Sequence, residues 1–161
     1  NGAGQPQFQA TNSALLFTAG SSERMRIDSS GNVGIGTSNP NAKLHVAGTG
    51  LYTAAQRGSV YSLGSVWGTQ TPNLNTGNNF TVTLIGNATL ANPSNQTSGQ
   101  HGVFRIVQDG TGSRTLAFGS NWKFPGGTAP TLSTAANAED LLAYYVAASG
   151  TIFAQLIVDL K

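Results

Sequence analysis

Residues 141–160 read LLAYYVAASGTIFAQLIVDL. Two apolar runs, 141–148 and 152–160, flank Ser149-Gly150-Thr151. Apolar runs on either side of a small-residue turn are a hairpin signal. Leu142, Tyr144 and Val146 share one face of the first run, and Leu141 and Tyr145 the other. A strand apolar on both faces needs cover on both. One cover is the domain's own core. The second is expected from another subunit.

Two more pairs of runs precede this one. Phe80, Val82 and Leu84 alternate with Thr81 and Thr83, and Gly86-Asn87 is expected to turn the chain into Ala88-Thr89-Leu90. Residues 103–107 lead to Asp109-Gly110-Thr111-Gly112-Ser113, after which 115–118 are expected to return. The spacing thus predicts three consecutive hairpins in an all-β sandwich or jelly roll of roughly 100 residues. Residues 135–140 are the one stretch with the character of a helical turn.

The chain divides near residue 57. Residues 1–57 hold 12 large apolar side chains, whereas 58–161 hold 31. The first part alternates in brief strands: Leu15-Leu16-Phe17, Met25 and Ile27, Val33 and Ile35, Leu44 and Val46. So little apolar surface does not offset the entropy of ordering one chain alone. Pairing with copies of itself is the expected remedy, which makes 1–57 a short interwoven β neck or stalk. Gly34 and Gly36 leave nothing to bury on one side, so Val33 and Ile35 are expected to face a neighbouring chain. The N-terminal Asn1, with no Met, suggests a fragment of a longer polypeptide.

Gly, Thr, Ser and Asn supply 68 of the 161 residues, and only 14 are charged. This suits short strands and tight turns and argues against a coiled coil. With eight Lys and Arg, few cations are available to neutralise phosphates, so no nucleic-acid partner is expected. No cysteine is present, which removes disulfides and thiolate metal sites. No apolar run approaches membrane-spanning length, so no membrane insertion is expected.

Catalytic chemistry has little material. The imidazoles are His45 and His101, and neither has a carboxylate beside it in sequence. Glu139-Asp140 is the only adjacent acidic pair. On a strand these two side chains point to opposite faces, and capping a turn before the Leu141 strand is the simpler role. Asp109 reads as a turn acid. Gly34-Ile35-Gly36 lacks the helix and the lysine of a phosphate loop. Sequons at Asn79, Asn87 and Asn95 follow from composition. No enzyme activity, cofactor or metal is expected.

Trp67 and Trp122 lie in polar, Gly-rich surroundings. Each is either a platform for a sugar ring or a plug in the core or a subunit seam. The loops 67–79 and 120–130 are the candidate receptor contacts, through Trp67, Asn73, Asn75, Asn121, Trp122 and Lys123. Val33, Ile35, Leu141 and Tyr145 are the candidate subunit contacts.

Residues 24–37, RMRIDSSGNVGIGT, followed by Pro40 and Lys43-Leu44-His45-Val46, closely resemble a motif of tailed-bacteriophage tail fibres and tailspikes. GNATLANPSN at 86–95, the run from Gln108 to Ala136, and DLLAYYV at 140–146 resemble a recurrent phage-protein C-terminal domain. The resemblance implies a virion structural protein, a homotrimer and a place near the host-binding tip. It implies no catalytic residues. In many related fibres the first motif precedes a self-cleaving chaperone domain. Here the chain continues into the sandwich, so self-cleavage is not expected.

The expectation is then a trimeric tail-fibre or spike fragment, with a neck at 1–57 and a β-sandwich head at 58–161. It would sit in the virion tail, outside the cell, beside other tail proteins, and attach to bacterial surface polysaccharide. The competing readings are a purely structural trimerisation module and a depolymerase.

Overall fold

The structure is a computed structural model and describes residues 7–10 and 13–160. The chain forms two compact units, Asn1–Gln56 and Arg57–Lys161.

In the first unit, β1 (Gln7–Ala10), β2 (Ala14–Ala19), β3 (Ser22–Asp28), β4 (Val33–Ile35) and β5 (Leu44–Val46) form one sheet in that order. The β3–β4 turn is set by Asp28, whose carboxylate accepts from Ser30 N, Asn32 N and Asn32 Nδ2. Those bonds favour its charged form and hold its carboxyl below the usual aspartate range. Within one chain the five strands pair with one another. What stays uncovered is a face. Leu15, Ile27, Val33 and Leu44 align across β2–β5, and so do Phe17, Met25, Ile35 and Val46. All eight side chains therefore share one side, and none is buried. The opposite side carries Leu16, Arg26, Gly34 and His45.

In the second unit, β6 (Val60–Gln70), β7 (Asn79–Leu90), β8 (His101–Gln108), β9 (Leu116–Phe118), β10 (Trp122–Lys123), β11 (Glu139–Ala148) and β12 (Thr151–Ile157) form a second sheet. Its order is β10-β12-β11-β8-β7-β6, with β9 paired to the far half of β7. Even-numbered residues of β7, β8, β11 and β12 point inward, including Phe80, Leu84, Phe104, Ile106, Leu142, Val146 and Ile152, all nearly inaccessible. Phe80 stacks on Phe104 with ring centroids 4.5 Å apart, and Tyr144 closes on Phe104 at 5.5 Å.

The all-β expectation holds, and β11–β12 is the hairpin read from 141–160. The strand of that run ends at Ile157 rather than at residue 160. The other two expected hairpins are absent. Residues 86–87 do not turn, because β7 runs through them with an irregularity opposite Val66–Gly68 of β6. Gly-Asn serves a bulge as readily as a turn. The run 115–118 does not return along β8 but pairs with β7. The strand pairs β6–β7, β7–β8, β7–β9 and β10–β12 are parallel, so this is a curled mixed sheet and lacks the hairpin succession of a jelly roll. Residues 135–138 form a turn without a helix. Among the described residues the only helical element is the 3-10 turn Pro125–Gly127.

The curl brings the end of β7 to the opposite edge of the sheet. Gly119 N donates to Leu90 O, Ile152 N donates to Asn121 O, and the Phe118 and Trp122 rings lie 6.0 Å apart. The interior of the curl is the core.

Candidate functional site

Odd-numbered residues of β8, β11 and β12 point away from the core. Register sets them in rows. His101 lies beside Tyr145, Tyr145 beside Phe153, and Phe153 beside Lys123 of β10. The next row is Val103, Ala143 and Gln155, and the next is Arg105, Leu141 and Ile157. Small Ala143, in the row next to Tyr145 and Phe153, leaves a trough. The chain beyond Lys123 walls it, because Phe124 and Pro125 lead into the 3-10 turn, where Gly126 adopts φ 66°. The result is an open groove of about 560 Å³ lined by Lys123, Phe124, Pro125, Ala143, Tyr145, Phe153 and Gln155 side chains. Tyr145 is 46% and Phe153 55% exposed.

The groove brings aromatic residues together with residues that can hydrogen-bond, namely Tyr145, Gln155 and Lys123. Lys123 Nζ donates to Ser120 O at 2.7 Å, and none of the described carboxylates pairs with it. Glu139 is engaged by a two-pronged contact from Arg105. Apolar walls with a few placed polar groups are the usual make-up of a ligand site, and the volume lies in the usual range.

The residues expected from sequence to contact a receptor separate into four groups. Lys123 lines the groove. Trp122 does not: it is 5% exposed, packs on Phe104, Phe118 and Tyr144, and donates its indole N–H to Ala91 O. As a candidate receptor contact Trp122 is thus corrected: of the two roles open to it, platform or plug, its burial fits the plug, which anchors the loop that carries Lys123 and Phe124. Trp67 is the opposite case, 71% exposed on β6.

The asparagines shape loops. Asn73 Oδ1 accepts from Asn75 N and Asn95 Nδ2. Asn121 Nδ2 donates to Gln96 Oε1, and its backbone N–H donates to Asn92 Oδ1. Both candidate loops are therefore tied to residues 91–100, a connector that sequence reading did not single out. Of the expected subunit contacts in this unit, Leu141 is half-buried and Tyr145 lines the groove. In the first unit, Val33 and Ile35 sit on the uncovered apolar face.

Three acidic residues of this unit are engaged within it. Asp140 is buried and accepts from Ser133 N, Ser133 Oγ and Asp159 N. Glu139 points to the outer face, and Asp109 accepts from Thr111 N, Gly112 N and Arg114. Among the described residues no three His, Asp or Glu side chains cluster.

Phe153 and Gln155 were not picked out from sequence. Their signal was the alternation of Phe153, Gln155 and Ile157 with buried Ile152 and Ala154 and half-buried Leu156, read back across the turn to Tyr145.

Residues 70–151 match the model of a family described as "Putative phage tail fibre C-terminal domain". Comparison with curated proteins and with solved structures finds no match.

Proposed function

The chain belongs to the phage tail fibre C-terminal domain family, a component of the virion tail, and from that premise we propose that it attaches the virion to carbohydrate on the bacterial surface. The observation that carries this reading is the open groove walled by Tyr145, Phe153 and Phe124 with Lys123 and Gln155 at hand. Aromatic faces take the apolar side of a sugar ring, and amide, ammonium and phenol groups take its hydroxyls. Trp67 offers an exposed indole on β6 as a further aromatic surface. The role is binding without catalysis, outside the cell.

We further propose that the chain works as a homotrimer. Eight apolar side chains align on one face of the first unit, and Ile35, Leu44 and Val46 among them are exposed, the kind of apolar patch that marks an interaction surface. Copies of the chain, related by closed symmetry, would cover them. Three weak sites on one assembly then act with avidity. This face also supports the alternative that the chain only trimerises the fibre.

Binding of the labelled chain to host cells, before and after enzymatic or chemical stripping of surface polysaccharide, tests the attachment reading. Adsorption lost on stripping is expected. Equal adsorption to stripped cells refutes a carbohydrate receptor, and no adsorption in either case favours the structural alternative.

A further inference from the structure

We infer that the saccharide held in the groove is anionic, its charge meeting Lys123 while Tyr145 and Phe153 stack on the rings. This rests on the attachment reading and adds the chemical class of ligand.

Charge on this face is the first argument. On the outward positions of β8, β11 and β12 the only carboxylate is Glu139, and Arg105 already engages it. Lys123, at the edge of the same face, has no carboxylate partner. The surface around the groove is therefore left with one uncompensated cation and no competing anion. A neutral glycan takes only hydrogen bonds from that ammonium, whereas a carboxylate or phosphate adds the attraction of opposite charge.

The second argument is geometric. His101, Tyr145, Phe153 and Lys123 stand in one row across four adjacent strands. At about 4.8 Å per strand the row spans roughly 14 Å, enough for more than one sugar ring. Two aromatic rings form its middle, and nitrogen-bearing groups mark both ends. His101 Nδ1 lies 3.1 Å from Gly99 O, which fixes its ring at the β8 end of the row. A charged ligand laid along it meets stacking surface in the centre and hydrogen-bonding nitrogen at the rims.

The test uses the whole 161-residue chain on an array of bacterial surface polysaccharides. Each is printed in native, carboxyl-reduced and dephosphorylated form. Binding to native anionic polysaccharides is expected, with loss in one treated arm showing whether carboxylate or phosphate is recognised. Lys123→Gln should weaken that binding about two- to fivefold, the size of an exposed ion pair, with Lys123→Arg retaining it. Added salt should weaken the parent more than the Gln variant.

Treated forms bound as well as native, with Lys123→Gln silent but Tyr145→Ala and Phe153→Ala still deleterious, would overturn the anionic ligand and leave attachment standing. Tyr145→Ala or Phe153→Ala changing the oligomeric mass without changing glycan binding would make the face a seam between copies, and the inference would fall. Binding to no polysaccharide would remove both readings.

Discussion

Trp122 Nε1 donates a hydrogen bond to the carbonyl of Ala91 across 3.1 Å. That contact joins β10, at one edge of the sheet, to the chain leaving β7 near the other. The indole also fills the interior beneath Phe104 and Tyr144. One side chain thus closes the curl and positions the segment that walls the groove.

Trp122→Ala should cost about 3–5 kcal/mol, as for a large buried aromatic. Trp122→Phe keeps much of the ring but leaves the Ala91 carbonyl without its partner, at about 1–3 kcal/mol. Urea unfolding measures both. A midpoint unchanged in Trp122→Ala would show that the curl closes without the indole.

Gly102 faces inward beneath the crossing backbone of Asn78, whose carbonyl accepts from Val103 N and from the Tyr144 hydroxyl. A Cβ at Gly102 would meet Asn78 O at 1.7 Å, which backbone cannot avoid without moving. Gly102→Ala should therefore lower stability by at least about 1–3 kcal/mol. Differential scanning calorimetry showing a parental melting temperature would contradict this packing.

Burial pushes the Tyr144 hydroxyl up to about 12, from an ordinary 10.0. In that interval the unfolded chain has lost the phenolic proton while the folded one keeps it. The contribution is complete below pH 10 and is lost as pH rises toward 12. Tyr144→Phe should flatten this alkaline fall and cost about 1 kcal/mol at neutral pH for the lost bond to Asn78 O. Denaturant midpoints across pH 8–12, a range chosen to bracket about two units either side of the ordinary value, provide the comparison. An identical slope in the variant would assign the alkaline loss to other groups.

Ile35 stands in the middle of the apolar face of the first unit, aligned with Met25 and Val46. Ile35→Asp puts a charge where a neighbouring chain is proposed to pack, costing several kcal/mol if the seam is dry. Multi-angle light scattering should then read a mass near the single-chain 16.5 kDa, against three times that value for the parent. A trimeric variant with unchanged melting would remove Ile35 from the seam.

Trp67 is mostly exposed, so Trp67→Ala should change stability by no more than about 0.5 kcal/mol. Adsorption to host cells should fall, since the indole is proposed as a second receptor contact. Parental adsorption with parental melting would leave the groove as the sole contact.

The sequence by itself determined the all-β class, the hairpin about Ser149-Gly150-Thr151 and which residues of its first strand share a face. Alternation at period two is a local property, and Ser149-Gly150-Thr151 is a local turn. The short strands of the first unit and the phage-fibre resemblance were legible for the same reason, since their residues adjoin one another in the chain. Pairing partners were not legible. Alternation shows that a strand has two unlike faces but not which strand lies beside it, so residues 80–84 and 88–90 read as two strands of a hairpin. Gly86-Asn87 suited a turn and a bulge equally, and the parallel neighbours of β7 decided for the bulge. The two tryptophans had similar surroundings in sequence. Only the curl placed Trp122 against Phe104, Phe118 and Tyr144 while leaving Trp67 outside. The groove has the same origin: Lys123 meets Phe153, and Phe153 meets Tyr145, through strand register. Burial and register are set by contacts distant in the chain, which the tertiary structure brings together.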